Sequence, residues 1–185
     1  MQWVQRLREN LSVLEGNLLV LTLSWMLWFP AMRMTNTYSQ RYITALGATP
    51  FIFGVINAVS MIAVSIVRIP GGYIADRYGR KKIVSTMTFG VALAYLFYAF
   101  ASSWEWILIG ATVSNLFLIY QPALMAIRAD SVPAEKRGTG FALANFLPRL
   151  ICIPAPIIAL YLVDTFELIP GMRIAYLAAT SLGVG

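Results

Sequence analysis

Histidine is missing from this chain, and cysteine occurs once, at position 152. Without histidine there is no imidazole to bind a metal or to relay a proton. A single cysteine cannot form a disulfide within the chain. We therefore expect neither a bound metal nor a cofactor.

Charge is also scarce. Charged residues make up 12% of the chain and hydrophobic residues 59%, and the mean hydropathy is +0.71. Soluble domains usually have about 25% charged residues. The composition therefore excludes an ordinary soluble domain and predicts an integral membrane protein.

Long apolar runs divide the chain into six candidate membrane spans, since a helix needs about 20 apolar residues to cross the hydrocarbon core. The predicted spans are about 16–38, 45–70, 82–103, 105–128, 138–163 and 172–185. From Ile174 the last run would cover roughly 18 Å of a core about 30 Å thick. We therefore expect an all-α membrane bundle of six helices whose sixth is cut short, with a further half of the same chain missing.

The basic residues are distributed unevenly between the two sets of connections. Ten of the fourteen lie in the N-terminal segment or after spans two and four, while Arg41 and Arg173 lie on the other side. Positively charged connections stay in the cytoplasm. This predicts a multi-pass plasma-membrane protein with a cytoplasmic N-terminus. The lipid bilayer is then the expected partner and nucleic acid is not, because the net charge of +6 reflects topology.

The predicted connections are too short to hold a soluble catalytic domain. The sequence also contains no Walker-type nucleotide-binding loop. We therefore predict that the chain is not an enzyme.

One connection combines charge and glycine in an unusual order: PGGYIADRYGRKK, residues 70–82. If it is helical, Asp76 and Arg80 lie one turn apart on one face and can pair. Gly71 and Gly72 let another helix approach closely, and Gly79 permits the left-handed turn that ends a helix. A basic cytoplasmic loop would account for the lysines and arginines but not for the aspartate among them.

This stretch resembles the signature between the second and third helices of the major facilitator superfamily, glycine-x-leucine-alanine-aspartate-arginine-x-glycine-arginine-lysine. The matching residues are Gly72, Ala75, Asp76, Arg77, Gly79, Arg80 and Lys81, with Ile74 in place of leucine. Residues 122–142 resemble the family's connection between helices four and five. The resemblance covers essentially the whole chain and implies the N-terminal half of a twelve-helix transporter that works by alternating access.

The resemblance also implies a gate at the cytoplasmic end. In such transporters the aspartate and arginine of the signature form a charge network with an acid at the end of helix four. The gate residues implied here are Gly72, Asp76, Arg77, Gly79, Arg80, Asp130 and Arg137. This network would brace the cytoplasmic end against the other half while the protein faces outward.

Ionisable residues within the spans bear on the substrate. All eight acidic residues lie at or near span ends, so these spans offer no midplane carboxylate for proton coupling. Arg149 lies near the middle of span five, and Arg33 lies in the outer part of span one. An arginine in the membrane usually faces a cavity or a partner. Arg33 could instead reach the outer headgroups, which Arg149 cannot easily do.

Amide side chains occur in spans one, two, four and five and are missing from span three. The candidate substrate-binding residues are Arg149, Arg33, Asn115, Asn145 and Asn57. Each amide could instead form only a hydrogen bond between helices. The contrast between spans fits the family arrangement, in which helices three and six are peripheral.

The sequence thus predicts a secondary-active or facilitative transporter whose small-molecule substrate is an anionic metabolite. Two alternatives remain open. One is efflux of amphipathic compounds, suggested by Trp25, Trp28 and Phe29 in the first span. The other is a non-transporting membrane subunit of an assembly or a sensor, which would need no central cavity.

The distribution of basic residues leads to a labelling prediction. Cysteine introduced at Arg80 should react with a membrane-impermeant maleimide only from the cytoplasm, and cysteine at Glu105 only from outside. The measurement compares intact cells with inverted vesicles, in a background where Cys152 is replaced by serine. Labelling of position 80 in intact cells would contradict the orientation.

Overall fold

The structure is a computed structural model that describes residues 16–184. Its helices are α1 Gly16–Ala45, α2 Pro50–Tyr78, α3 Arg80–Ala99, α4 Trp104–Phe117, α5 Gln121–Asp130, α6 Arg137–Ile151, α7 Ala155–Phe166 and α8 Leu168–Val184. Single turns of 3-10 helix lie at Leu118–Tyr120 and Ala134–Lys136. The predicted cytoplasmic N-terminus with Arg6 and Arg8, and the end of the sixth span at Gly185, lie outside the described residues.

Five stretches are long and apolar enough to cross a membrane: Gly16–Ala45, Pro50–Tyr78, Arg80–Ala99, Trp104–Asp130 and Ala134–Phe166. The final helix, α8, is also apolar and has 17 residues. Within residues 16–184 all regular structure is helical, which confirms the all-α membrane bundle. Helices suit the lipid bilayer because each backbone donor finds its acceptor within the same segment.

Span two continues further than the sequence predicted. Pro70 and the two glycines after it suggested a helix end, yet α2 runs on to Tyr78. Arg68 was counted as a connection residue, but about 15 Å of helix separates it from Tyr78. Arg128 was counted in the same way and lies inside α5. Both arginines therefore belong to the spans.

Gly79 separates α2 from α3. Its φ of +94° lies in the region that favours glycine, and its backbone N–H donates to the carbonyl of Ala75 at 3.0 Å. The left-handed turn predicted from this glycine is therefore present. At the other end of α2, the hydroxyl of Thr49 accepts a hydrogen bond from the N–H of Ile52, and Pro50 occupies the first turn.

Spans four and five are both interrupted. In span four the 3-10 turn Leu118–Tyr120 comes just before Pro122. In span five α6 ends at Ile151 and α7 begins at Ala155, after Pro154. Proline lacks an N–H and cannot continue the helical hydrogen-bond ladder. A proline thus lies at each interruption, but proline alone does not cause a break, because Pro30, Pro70 and Pro148 lie within continuous helices.

Span two makes a close backbone contact with span four at the first of these interruptions. A Cβ placed on Gly71 would collide with the carbonyl oxygen of Ile119. A Cβ on Gly72 would have nothing within 4 Å among the described residues. The helix approach expected near this glycine pair is thus made by Gly71, while Gly72 faces the open surface.

The two ends of the bundle are held together differently. We call the end with Asp76, Gly79 and Asp130 the motif end, and the other end the opposite end. The largest buried cluster lies towards the opposite end: Tyr42, Ile43, Ala48, Ile56, Ala99, Ala101, Ile107, Ala111, Met172 and Tyr176. The motif end has smaller clusters, one of Leu18, Val132 and Ala144 and one of Ala75, Ile83 and Ala123. Apolar packing is therefore concentrated at the opposite end.

Gly71 leads to a stability prediction. Gly71→Ala should destabilise the bundle by about 1–3 kcal/mol, because added volume at a close contact forces the backbone apart. Gly72→Ala is the matched control and should be tolerated, since alanine also favours helix over glycine. Thermal unfolding of the two purified variants checks this. Equal melting temperatures would contradict the close contact between spans two and four.

Candidate functional site

Arg80 bridges two aspartates at the motif end. Its Nε donates to Oδ1 of Asp76 at 2.8 Å, and its Nη1 donates to Oδ2 of Asp130 at 2.9 Å. The three residues come from the end of α2, the start of α3 and the end of α5. One guanidinium therefore ties three helices together, in the arrangement that the sequence suggested.

The ion pairs of this network are exposed. The Arg80 side chain is 40% exposed, and those of Asp76 and Asp130 are 64% and 69% exposed. Ion pairs in water contribute little to stability, about 0–1 kcal/mol each. Contacts this weak can be made and broken repeatedly at low cost, which suits a reversible closure better than permanent bracing.

The other residues of the predicted gate surround the network without joining it. Nε of Arg137 donates to the carbonyls of Ala129 and Val132 at 3.2 and 3.3 Å and so fixes the turn after α5. Arg77 lies over the ring of its neighbour Tyr78, 5.7 Å from the centroid. Gly79 forms the turn that starts α3, and Gly72 is the open-surface glycine described above.

The predicted arginines of spans one and five are both exposed. On α6, the buried Ala144 packs against Leu18 of α1. Arg149 lies about 7.5 Å along α6 from Ala144, and Arg33 lies about 22 Å along α1 from Leu18. Arg149 is therefore near the level of this contact and the interruption in span five, while Arg33 lies nearer the opposite end.

Arg128 is a buried cation that sequence reasoning placed in a loop. The residue is 5% exposed, and its guanidinium lies 4.5 Å from the ring centroid of Trp25 and 5.1 Å from that of Phe141. Its Nη2 donates to Oδ1 of Asn145 at 3.2 Å. Cation–π contacts and one hydrogen bond therefore compensate its burial, although its Nε has no partner among the described residues.

This contact fixes the orientation of Asn145. A guanidinium can only donate hydrogen bonds, so the amide oxygen must face Arg128. The amide nitrogen then faces away from Arg128, and residue 145 is exposed. Arg149 lies one turn further along the same face of α6. The two side chains present hydrogen-bond donors to this open face.

A second arginine–amide contact joins spans two and four. Nε and Nη2 of Arg68 both donate to Oε1 of Gln121, at 3.2 and 2.8 Å. Sequence reasoning counted Arg68 with the basic residues after span two, although it lies inside the predicted span 45–70, and did not single it out as a residue of that span. One feature of the sequence could have indicated its place. The long apolar run before Arg68 continues up to it without a polar turn, which is typical of a residue within the same helix.

A polar cleft of about 340 Å³ opens between α1, α2 and α4. Its lining includes Asn57 and Asn115 from the predicted site, together with Asn36. Tyr95 and Tyr98 of α3 and Tyr176 of α8 also line it, so the third and sixth spans contribute to this cleft. None of the described residues that line the cleft carries a charge. Asn145 is not among the lining residues. It lies on α6, where its side chain contacts Arg128.

The comparisons with known proteins agree with this geometry. The Major Facilitator Superfamily model matches residues 16–184. The chain belongs to the major facilitator superfamily.

Relatives within this superfamily carry different substrates. The chain is 27% identical over 133 residues to the uncharacterized MFS-type transporter YqjV of Bacillus subtilis, covering 71% of this chain and 32% of that protein. It is 28% identical over 124 residues to a Na(+), Li(+), K(+)/H(+) antiporter of Planococcus maritimus, with 63% and 29% covered. It is 28% identical over 130 residues to the niacin transporter NiaP of Acinetobacter baylyi, with 70% and 29% covered.

The matches cover about a third of each of these relatives. No solved structure matches the chain. Membership of the major facilitator superfamily and the five candidate membrane spans among the described residues indicate a multi-pass membrane protein. The superfamily signature coincides with the ion network at the motif end, and this network generates the next prediction.

Asp76→Asn should reduce transport by the full-length protein at least fivefold while leaving expression nearly unchanged. An exposed ion pair adds little to stability, so its loss should affect closure of the motif end rather than folding. Transport and protein yield are measured together in membrane vesicles. Asp164→Asn, which alters an exposed aspartate near the opposite end, is the control; equal transport in the two variants would contradict a role for the network.

Proposed function

We propose that the chain is one half of a secondary transporter that carries a small organic anion by alternating access, with the motif end facing the cytoplasm. The observation that supports this most directly is the charge inside the spans. Arg33, Arg68 and Arg149 lie more than two turns from either end of their membrane-crossing stretches, and Arg128 is buried in the last turn of α5. The acidic residues among the described ones lie at helix ends or in connections. The helices of this half therefore attract anions.

The excess of positive over negative charge inside the spans has a larger effect in a membrane than it would have in water. A charge in the hydrocarbon region is costly unless it has water, a partner or a ligand of opposite sign. Arg68 and Arg128 already have amide partners, which leave their positive charge in place. A cation moving along these helices would meet repulsion at each of them, whereas an anion would gain attraction.

Arg149 and Asn145 are the proposed contacts for the anionic group. Arg128 holds the oxygen of Asn145, so the nitrogen is free to donate, and Arg149 adds a planar pair of donors. Arg33 adds a further exposed positive charge on α1, nearer the opposite end. Together these groups offer donors and positive charge, which suits a carboxylate or phosphate oxygen.

The motif-end network is the proposed cytoplasmic gate. Arg80 would hold α2, α3 and α5 together in the outward-facing state and release them when the two halves rock apart. The interruptions in spans four and five would give those helices places to bend. The substrate crosses unchanged, so the proposal involves no catalysis.

At 27–28% identity, the names of the relatives do not indicate which substrate this protein carries. Niacin is a carboxylate at neutral pH, in keeping with an anion. A cation antiporter would need carboxylates in the membrane, and these would have to come from the other half. Efflux of amphipathic compounds is less favoured, because Trp25 stacks on Phe29 and holds Arg128, and Trp28 packs edge-on against Tyr95.

Arg149 provides the test of this proposal. Arg149→Ala should lower transport of anionic substrates by at least tenfold, and Arg149→Lys should lower it less, because lysine keeps the charge but loses the bidentate geometry. The uptake of panels of anionic, neutral and cationic compounds by each variant is compared with uptake by the wild-type protein. Lys136→Ala, which also removes an exposed cation, is the control. Unchanged uptake across the panel in Arg149→Ala would overturn the anion proposal.

A further inference from the structure

The cleft between α1, α2 and α4 presents uncharged hydrogen-bonding groups, among them the side-chain oxygens of serine, threonine and asparagine residues. Five of its polar side chains donate to carbonyls of their own helices. These bonds are Thr35 to Met32, Ser39 to Asn36, Ser60 to Ile56, Asn57 to Phe53 and Asn115 to Ala111, with lengths from 2.7 to 3.1 Å. The hydroxyl hydrogens of Thr35, Ser39 and Ser60 and one N–H of each of these asparagines are therefore already engaged.

The chemistry of each group decides what it offers to the cleft. A serine or threonine hydroxyl has one hydrogen, so once it is donated only oxygen lone pairs remain. An asparagine that donates one N–H leaves its oxygen as an acceptor and its second N–H as a donor. In an apolar environment these backbone bonds are favoured, since an unpaired donor would be costly. The cleft thus keeps uncharged acceptors and some donors for a ligand hydroxyl, which can both donate and accept.

We propose that this cleft is a subsite for the hydroxyl-bearing part of the substrate. The inference rests on the proposed function for the anionic end of the same molecule. A hydroxyl group donates to the free oxygens of Asn57, Asn115 and Ser60. An apolar group in the same place would leave these oxygens desolvated and unpaired, which is unfavourable.

A hydroxyl group fits this cleft better than an ammonium group. The described lining residues carry no charge, so an ammonium would be transferred there without a counter-ion. The arginines of the neighbouring helices would also repel it. The rings of Tyr95, Tyr98 and Tyr176 offer apolar faces for the carbon skeleton of a hydroxylated compound.

The distance between the two subsites suits a small molecule. Asn36 lines the cleft and lies about 4.5 Å along α1 from Arg33. A molecule of a few carbon atoms can therefore place a hydroxyl in the cleft and a carboxylate or phosphate near Arg33. The substrate class is a small hydroxylated organic anion.

The experiment measures competition and uptake by the full-length protein in membrane vesicles with four six-carbon probes. Gluconate carries both the anion and the hydroxyls, hexanoate only the anion, 6-aminohexanoate an anion and an ammonium, and sorbitol only the hydroxyls. Gluconate should bind at least tenfold more tightly than hexanoate or 6-aminohexanoate. An equal affinity for gluconate and hexanoate would overturn the cleft proposal.

Variants of the cleft provide the matched comparison. Asn57→Leu should weaken gluconate binding by at least tenfold, and Ser60→Ala should weaken it by at least threefold. Each variant should change hexanoate binding by less than twofold. Ser65→Ala is the control, because Ser65 makes the same 2.7 Å bond to the preceding turn of α2 but lies outside the cleft lining. Equal effects of Ser60→Ala and Ser65→Ala on gluconate would contradict the subsite.

The probes separate this inference from the proposed function. Sorbitol transport without transport of any anion, lost in Asn57→Leu, would uphold the cleft and refute the anion proposal. Transport of hexanoate and gluconate alike, with no effect of Asn57→Leu, would refute the cleft and leave the anion proposal standing. Preference for 6-aminohexanoate over gluconate would refute the hydroxyl assignment.

Discussion

Every polar group in these helices has to find a partner in surroundings with little water, and this constraint determines most of what the structure can do. Backbone groups meet it within each helix, which gives an all-helical bundle. Serine, threonine and asparagine side chains meet it by donating to carbonyls of the preceding turn. Arg68 and Arg128 meet it through Gln121 and Asn145 on neighbouring helices. The same bonds determine which hydrogen-bonding groups remain for a ligand.

The result is a separation of hydrogen-bonding character along the bundle. Near the interruption in span five, Asn145 and Arg149 offer donors and positive charge. In the cleft, side chains such as Asn57 and Asn115 offer acceptors without charge. A ligand with an anionic group at one end and hydroxyl groups at the other would satisfy both regions. This polarity results from hydrogen bonds within and between helices, so it would persist when the two halves of a transporter move.

The two ends of the bundle also differ in how they can respond to that movement. The opposite end contains the large buried cluster around Tyr42 and Tyr176, and Arg173 of α8 donates to the carbonyl of Ala101 there. The motif end depends on smaller clusters and on exposed ion pairs of Arg80. Buried packing is costly to disrupt, whereas exposed ion pairs exchange readily with water. In the proposed cycle, the motif end is therefore the part of this half that opens and closes.

The sequence by itself determined the membrane spans, the glycine turn at position 79 and the pairing partners Asp76 and Arg80, because these depend on local composition and spacing. It could not show that Arg68 pairs with Gln121, that Arg128 is buried against Trp25 or that Gly71 packs against Ile119. Nor could it show that Asn57 and Asn115 share a cleft while Asn145 is held by Arg128. Those outcomes depend on contacts between residues far apart in the chain, and only the tertiary structure brings such residues together.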